Sequence, residues 1–378
     1  MIKIFHCADI HLDSPFSLYS PREAESRRTE LRAAFTGALM FAREQGADLF
    51  LISGDLFDGE FVTRDTLELL SREFKRSADM RFFIAPGNHD HLGPGSPYNN
   101  VSFPPNVHVF GKDRECVRID ELGADIYGFG FDSQTMISSP VAGWQGLDPR
   151  RINILVCHGD TSSPHSETGP ITMGDIAASG FDYIALGHIH KGTGVMSFNG
   201  VSYAYPGCLE GRGFDELGYK GALFGTVDKG RADLKSYRFS NRRYELAEVD
   251  LTGIADKSEA LEVIRRGIKQ YVDDTALRLT LTGELKQAFV ILPNEIGTGR
   301  EFPYSIELID NTFIAPNIGE LEKTNTIKGI FCRNLAARIS ASPEGSEERR
   351  IYTLALKYGL AALDGRSVVD YRDPEERR

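Results

Sequence analysis

The feature that most constrains the fold of this chain is a set of polar motifs, each directly after a short apolar segment. Residues 2–8, 48–53, 81–85, 152–157 and 183–186 have the length and composition of buried strands. They run into Asp9-x-His11, Gly54-Asp55, Gly87-Asn88-His89-Asp90, His158 and Gly187-His188-x-His190. Ligands of open α/β sheets lie at the carboxyl ends of strands, so we expect these side chains to converge in space.

The remaining pattern of the first two-thirds of the chain also indicates an α/β core. Residues 107–110, 126–131 and 201–205 predict further strands, and residues 21–45 predict a helix with Leu31, Phe35 and Leu39 at helical spacing. Strands that alternate with helical segments are typical of α/β proteins. Residues 221–250 predict β-hairpins that close the sheet.

The sequence pattern changes at about residue 250, and 378 residues exceed the usual length of one domain. Asp256 and Glu259 have the spacing of a capping box, and apolar residues follow at helical intervals. Later residues alternate as in a strand. We therefore predict a main domain over 1–250, a small α+β domain over 251–342, and a segment 343–378 with a helix at 346–363 and a charged tail at 370–378.

Composition excludes several classes of protein. No apolar run approaches the ~18–20 residues that span a bilayer, and the first residues lack the pattern of a secretory signal. The five cysteines are scattered without a Cys-x-x-Cys pair, which predicts reduced thiols and a cytoplasmic protein. A net charge of −11 argues against a chain that binds nucleic acid or anionic membrane over its whole surface.

The chemistry of the polar motifs indicates two metal ions. Five of the nine histidines lie in these motifs, although Asp9-x-His11 and the run from Gly54 to Asp58 are each also typical of a turn when taken alone. Carboxylate, imidazole and amide donors suit Mn²⁺, Fe²⁺ or Zn²⁺ better than Ca²⁺, and the candidate ligands are too many for one tetrahedral ion. Two-metal sites bind phosphate oxygens and activate a water between the ions for in-line hydrolysis of a phosphoester. A nearby histidine that is not a ligand would protonate the leaving oxygen.

The ordered set of motifs resembles the calcineurin-like metallophosphoesterase superfamily over roughly residues 1–240. The resemblance implies a four-layer αββα sandwich with a dinuclear site at the strand ends. It implies metal ligation by Asp9, His11 and His190 for the first ion, by Asn88, His158 and His188 for the second, and by Asp55 for both. It also implies that His89 is the acid at the leaving group and that Asp58 and Asp90 orient the catalytic groups.

Two segments resemble a particular branch of this superfamily. Residues 4–16 and 205–216 are similar to the SbcD-type DNA-repair exonucleases, especially their YhaO-like subgroup. In that family a capping domain follows the nuclease domain, and a C-terminal helical segment contacts a coiled-coil SMC-like ATPase. Some relatives carry histidine where this chain has Asp58. The cap and tail resemble the family in position and size, without a motif.

The sequence therefore predicts a two-metal phosphodiesterase. The favoured activity is that of a DNA exonuclease or endonuclease subunit in DNA repair, with an SMC-like ATPase as partner and a homodimer as a further option. Mn²⁺ is the favoured ion, with Fe²⁺, Mg²⁺ and Zn²⁺ as alternatives. Arg212, just beyond the last motif, is the basic residue that we place near a substrate phosphate.

Two other functions remain open. The acidic surface is compatible with a phosphodiesterase for a small ester such as a cyclic nucleotide, and a third option is a mainly structural subunit of an ATPase complex. A protein serine/threonine phosphatase is disfavoured, because no Arg-Gly pair follows the second aspartate of the run Gly54-Asp55-Leu56-Phe57-Asp58.

Overall fold

The computed structural model describes residues 1–17, 19–314 and 316–365 and divides the chain into two compact units. The first unit holds residues 1–245 and 274–276, and the second holds 246–273 and the residues from 277 onward. All five cysteines are free thiols. Within the described ranges, none of the helices combines the length and apolar character that crossing a membrane requires.

The elements of the first unit follow the predicted alternation of strands and helices. Its strands are β1 (Ile2–Cys7), β2 (Leu49–Ile52), β3 (Arg81–Ile84), β4 (Val107–Val109), β5 (Glu115–Ile119), β6 (Ala124–Gly128), β7 (Ile152–His158), β8 (Tyr183–Gly187), β9 (Met196–Phe198), β10 (Val201–Ala204), β11 (Gly221–Asp228) and β12 (Arg231–Arg238). Its helices are α1 (Pro21–Glu44), α2 (Arg64–Arg76) and α3 (Met173–Ser179), with 3₁₀ turns at Pro97–Asn100 and Asp120–Leu122.

The strands of the first unit form two six-stranded mixed sheets. The first has the order β12-β11-β1-β2-β3-β4, and the second has the order β5-β6-β7-β8-β10-β9. The central strands β1 to β4 run parallel, as do β6, β7, β8 and β10, and antiparallel strands flank both sets. The carboxyl ends of the parallel strands in each sheet therefore meet at one edge, where the polar motifs begin.

Alternating side chains of these strands build the layers. Phe5 and Phe50 face the helices, where they share a core with Phe35 of α1, whereas Ile4 and Leu51 face the second sheet. In the second sheet, alternate residues pack on the first sheet or towards α3 in the same way. The first unit is thus the predicted four-layer αββα sandwich.

Helix α1 shows why the sequence folds in this way locally. The Ser20 hydroxyl accepts a hydrogen bond from the backbone N–H of Glu23, and the Glu23 carboxylate accepts one from the N–H of Ser20, which forms a capping box. The predicted stripe of Leu31, Phe35 and Leu39 is fully buried. The strand predicted at 126–131 lies instead at Ala124–Gly128. The chain leaves the sheet after Gly128, and the N–H of Phe131 donates a hydrogen bond to the carbonyl of Pro86 in a loop.

The second unit is a separate α+β assembly. It is built from β13 (Arg243–Asp250), β14 (Thr275–Thr282), β15 (Glu284–Leu285), β16 (Ser305–Asp310), β17 (Phe313–Ile314), α4 (Lys257–Gly267), α5 (Pro293–Ile296), α6 (Ile318–Leu321), α7 (Ile327–Ala341) and α8 (Glu347–Leu363). Its sheets have the orders β13-β14-β16 and β15-β17. Asp256 caps α4 as the sequence predicts, by accepting a hydrogen bond from the N–H of Glu259.

The last helix packs within the second unit. Leu356 and Leu360 of α8 are buried with Cys332 of α7, whereas Ile351 and Leu363 remain exposed. The predicted charged tail at 370–378 lies outside the described residues. The predicted domain boundaries near residues 250 and 343 stay predictions.

The packing of the first unit leads to a stability prediction. Phe50 is fully buried, with its ring centroid 4.6 Å from that of Phe5, so Phe50→Ala leaves a cavity in the layer below α1. We expect the free energy of unfolding to fall by about 3–5 kcal/mol. Urea denaturation monitored by the fluorescence of Trp144, the only tryptophan, reports on this unit. Phe61→Ala is the matched control because Phe61 is 91% exposed, and a loss as large as that of Phe50→Ala would contradict this packing.

Candidate metal centre

The first two motifs are held side by side by backbone hydrogen bonds beyond the ends of β1 and β2. The N–H of Asp9 donates to the carbonyl of Gly54 at 3.1 Å, and the N–H of His11 donates to that of Asp55 at 3.0 Å. The N–H of Asp58 then donates back to the carbonyl of Leu12 at 3.1 Å. Two segments that are far apart in the sequence are therefore locked in register at the sheet edge.

Several predicted site residues have left-handed backbone conformations. The φ angles are 52° for Asp9, 50° for His11, 52° for Asp55 and 107° for His188. Residues other than glycine rarely adopt such angles, which cost free energy and persist only where the surroundings enforce them. Four of the seven non-glycine residues with positive φ in the described ranges are thus predicted site residues.

Two motif glycines are required by close approach. A Cβ atom on Gly87 would collide with the carboxylate of Asp55, and one on Gly54 would collide with the imidazole of His158. Gly54 also has a φ of 92°, which favours glycine. The glycines of these motifs therefore leave room for the predicted ligands.

Asp90 joins two of the motif loops through its buried carboxylate. It accepts hydrogen bonds from the N–H groups of Gly87 (2.7 Å) and Leu56 (2.8 Å) and from the hydroxyl of Tyr98 (2.6 Å). Burial, together with the charge of Asp55, raises the pKa of Asp90 to about 6. Its contacts hold the backbone of the two loops, and its predicted role in orienting the catalytic groups stays a prediction.

One group of predicted ligands consists of Asp9, His11 and His190, whose donor atoms lie within 4.8 Å of one another. His11 Nδ1 lies 2.8 Å from Asp58, and His190 Nδ1 lies 2.6 Å from Glu216. The two Nε2 atoms face each other at 3.3 Å, and Asp9 lies 3.7 Å from that of His190.

A second group consists of Asp9, Asp55 and His158, whose donor atoms also lie within 4.8 Å of one another. His158 Nε2 is 2.9 Å from the amide oxygen of Asn88 and 3.5 Å from the Asp55 carboxylate. Asp55 also lies 3.8 Å from His11 Nε2, so its carboxylate stands between the two groups. His188 Nε2 pairs with the hydroxyl of Thr168 at 3.0 Å, and the ring centroid of His188 lies 5.2 Å from that of His158.

The hydrogen bonds of these histidines fit a metal ion. Carboxylates and carbonyls only accept, so each Nδ1 that faces one carries the hydrogen: His11 on Asp58, His190 on Glu216, and His158 on the carbonyl of Ser53 at 2.9 Å. A neutral imidazole then presents a lone pair at Nε2. Those lone pairs point at one another and at carboxylate and amide oxygens, so either a shared proton or a metal ion must lie among them, and these donors are ligands that divalent ions take.

The shift in the pKa of His190 is compatible with a cation at this position. Although burial lowers the pKa of His190, the hydrogen bond to Glu216 and the charge of Asp9 outweigh it and raise the pKa overall. The surroundings thus favour positive charge at this position. Burial lowers the pKa of His188 to about 4, which leaves that imidazole neutral and able to act as a ligand at physiological pH.

His89 lies at the exposed side of the cluster. Its Nδ1 is 3.1 Å from Asp58, and 45% of its side chain is exposed. The hydrogen bond to Asp58 raises the pKa of His89 in spite of the opposing effect of burial. Although burial raises the pKa of Asp58, the hydrogen bonds from His11 and His89 lower it below its ordinary range. Asp58 therefore connects a predicted ligand to the predicted acid.

The structure brings all the predicted site residues to one end of the first unit and adds one that the sequence did not single out. Glu216 is buried against His190, and Arg212, predicted to contact phosphate, lies between Glu216 (3.4 Å) and Asp58 (3.3 Å). Glu216 is 26 residues from His190 and ends the segment 205–216 that resembles the SbcD-type nucleases. That segment was a sequence signal for Glu216, and the tertiary contact shows which side chain it meets.

These contacts predict how Mn²⁺ affects stability. Adding Mn²⁺ at about 100 times its dissociation constant should raise the free energy of unfolding by about 2.7 kcal/mol for each ion bound, since the folded state alone has the complete donor set. Gly87→Ala should abolish this increment, because the added methyl group displaces Asp55. Thermal unfolding with and without Mn²⁺ measures both effects. Gly37→Ala in α1, where the methyl group meets no neighbour, is the control, and an unchanged increment in Gly87→Ala would contradict the geometry.

Known proteins with similar sequences place the chain in one family. The sequence profile of the calcineurin-like phosphoesterases, Metallophos, matches residues 2–192. The chain is 28% identical over 315 residues to the uncharacterized metallophosphoesterase YhaO of Bacillus subtilis (strain 168), a match that covers 80% of this chain and 76% of that protein.

Two archaeal proteins that are named DNA double-strand break repair protein Mre11 are also similar. The one from Saccharolobus solfataricus is 25% identical over 268 residues, which cover 67% of this chain and 68% of that protein. The one from Methanopyrus kandleri is 23% identical over 299 residues, which cover 72% of this chain and 65% of that protein. The match of the family profile over half of the chain and the αββα sandwich confirm the predicted family: the chain belongs to the calcineurin-like metallophosphoesterases, metal-dependent phosphoester hydrolases that use two divalent ions.

Proposed function

We propose that this protein is a two-metal phosphodiesterase that acts on DNA. The observation that carries the proposal is the pair of donor groups whose unprotonated imidazole nitrogens turn towards the shared carboxylate of Asp55. The residues that would hold the ions are Asp9, His11 and His190 for one, Asn88, His158 and His188 for the other, and Asp55 for both. Mn²⁺ is our proposed ion, because the donors are carboxylate, imidazole and amide oxygen.

The chemistry divides between the ions and the chain. Two bound ions would supply Lewis acidity to the phosphate oxygens and lower the pKa of the water molecule that attacks phosphorus. The chain holds the donors in place through Asp58, Glu216 and the Ser53 carbonyl, each of which fixes one imidazole. Burial of the donors keeps competing water away from them.

His89 is our proposed general acid. Its position at the exposed side of the cluster, its bond to Asp58 and its raised pKa support a protonated imidazole that can reach a leaving oxygen. Asp58 would keep the ring oriented through the 3.1 Å contact. Arg212 keeps 20% of its side chain exposed beside Asp58, and its predicted contact with a substrate phosphate stays a prediction.

Similarity to proteins named for DNA double-strand break repair supports DNA as the substrate. On the same grounds we propose a nuclease subunit in DNA repair. The resemblance to the SbcD-type nucleases supports a coiled-coil SMC-like ATPase as its partner, and the free cysteines support a location in the cytoplasm. The second unit would serve as the capping domain, and α8, with Ile351 and Leu363 exposed, would contact the ATPase. A homodimer is a further proposed assembly.

A small phosphodiester is the second candidate substrate, and the salt bridges that several arginines form with nearby glutamates favour it. Arg32 pairs with Glu25, Arg76 with Glu73, and Arg242 with Glu30. Arginines that neutralise nearby carboxylates contribute little to the attraction of a phosphate backbone. DNA binding would therefore depend on the metal site and on the partner.

The nuclease proposal predicts the effect of removing the acid. We expect His89→Ala to lower kcat for Mn²⁺-dependent DNA hydrolysis by about 10²–10⁴-fold, because the leaving oxygen loses its proton donor. The measurement is digestion of single- and double-stranded DNA by the purified chain, with and without the ATPase. His108→Ala is the matched control, since His108 also pairs with a carboxylate, Glu115 at 3.0 Å, but lies on β4 outside the site.

The same assays separate the candidate functions. Cleavage of DNA that is equal in wild type and His89→Ala would overturn the proposed acid. A kcat/KM much higher for a cyclic nucleotide or similar ester than for DNA would select the small-molecule phosphodiesterase. Absence of bound metal by elemental analysis of the native protein would favour the structural subunit.

The proposed partner predicts the outcome of an affinity purification from the source cells. The wild-type protein should co-purify with a long coiled-coil ATPase, identified by mass spectrometry. Ile351→Asp should reduce the recovered ATPase at least about tenfold, because a charge replaces an exposed apolar side chain on α8. Phe61→Asp, an equally drastic change of an exposed apolar residue in the first unit, should leave recovery unchanged. Recovery without any ATPase would contradict the proposed complex.

A further inference from the structure

Glu216 and His190 form a buried pair close to the predicted ligands. The Glu216 carboxylate accepts a hydrogen bond from His190 Nδ1 at 2.6 Å, and its other oxygen accepts one from the backbone N–H of Arg212 at 2.7 Å. Only 4% of the Glu216 side chain is exposed, whereas 27% of His190 is. Both oxygens of the Glu216 carboxylate thus accept a hydrogen bond from an N–H group.

Arg212 connects this pair to the other carboxylate of the site. One of its Nη atoms lies 3.4 Å from Glu216, and the other lies 3.3 Å from Asp58. Asp58 in turn holds His11 at 2.8 Å. The two histidines of one predicted ion are thus each supported by a carboxylate, and one guanidinium spans both carboxylates.

We propose that Glu216 is a positioning residue for the metal centre, and that Arg212 fixes Glu216 and Asp58 relative to each other. This inference rests on the proposed function, because it takes His190 to be a metal ligand. Glu216 contacts the site through His190 and Arg212 and is not itself one of the predicted ligands.

The physical basis is the orientation of an imidazole ring. A carboxylate on Nδ1 selects the tautomer with a lone pair at Nε2, holds the ring plane and raises the basicity of the ligand. His190 needs this support because the loop after β8 leaves part of its ring exposed. His158, by contrast, is fully buried and bonds the backbone carbonyl of Ser53. Loss of the Glu216 charge should therefore weaken one ion and leave the other nearly unaffected.

The chain offers a matched control in the same segment. Glu210 is also a buried glutamate, and it accepts hydrogen bonds from the backbone N–H groups of Asn241 at 2.6 Å and Arg242 at 3.1 Å. It touches no predicted ligand among the described residues. Glu216→Gln and Glu210→Gln thus remove the same charge from similarly buried positions, and only the first faces His190.

The test is isothermal titration of the full chain, stripped of metal by a chelator, with Mn²⁺ alone. We expect wild type and Glu210→Gln each to bind two Mn²⁺ ions. For each ion, the affinity should be the same in the two proteins. Glu216→Gln should bind one of them about 10–100-fold more weakly, the usual effect of removing such a partner, and the other within about threefold of wild type. Arg212→Gln should weaken the same ion by a smaller factor. Circular dichroism melting curves show that each variant is folded.

The outcomes separate this inference from the proposed function. Wild-type protein that binds no Mn²⁺ would overturn the proposed function itself. Two bound ions in wild type with unchanged affinities in Glu216→Gln would overturn only the inference, as would equal losses in Glu216→Gln and Glu210→Gln. If Glu216→Gln does not fold, Arg212→Gln decides, and unchanged affinity for both ions would then overturn the inference.

Discussion

The site depends on the continued pairing of the chain beyond the ends of β1 and β2. Hydrogen bonds from Asp9 to Gly54 and from His11 to Asp55 extend the parallel ladder after the strands have ended. In this extension Asp9, His11 and Asp55 have left-handed backbone conformations. Their side chains therefore do not alternate between the two faces of the sheet, as those of a strand do, and instead point towards a common site. The sandwich supplies the free energy that holds this strained edge, since its strands are buried on both faces.

Much of the fold and of the site could be predicted from the sequence because its signals are local. Short apolar segments that end in polar motifs identified β1, β2 and β3, and the αββα sandwich and the family are confirmed. The end of β6 was wrong by three residues, since the apolar character of Phe129 and Phe131 continues although they leave the sheet. A loop that packs apolar side chains has the same composition as a strand, and only pairing distinguishes them.

The predicted ligands could be selected from the sequence because each lies at or soon after the end of a strand. The groups that accept hydrogen bonds from the histidine Nδ1 atoms could not be selected in this way. Glu216 and the Ser53 carbonyl contribute through tertiary contacts that have no fixed sequence spacing. Arg212 was selected because it is basic and near a motif, and its salt bridges to two carboxylates could not be inferred from composition. The same limit applies to Arg242, which pairs with Glu30 of α1 although the two residues are far apart in the sequence.

The Nδ1 atom of His158 donates to a backbone carbonyl, whereas those of His11 and His190 donate to side-chain carboxylates. A backbone carbonyl is present whatever side chain occupies position 53, so ordinary mutation cannot delete it while the strand persists. The carboxylates behind the other two histidines are side chains, and single substitutions can exchange them. The contact that orients His158 therefore persists as long as the fold does, whereas the contacts that orient His11 and His190 can change as the sequence diverges. Homologues should orient His158 alike and vary in how firmly they hold the other two histidines.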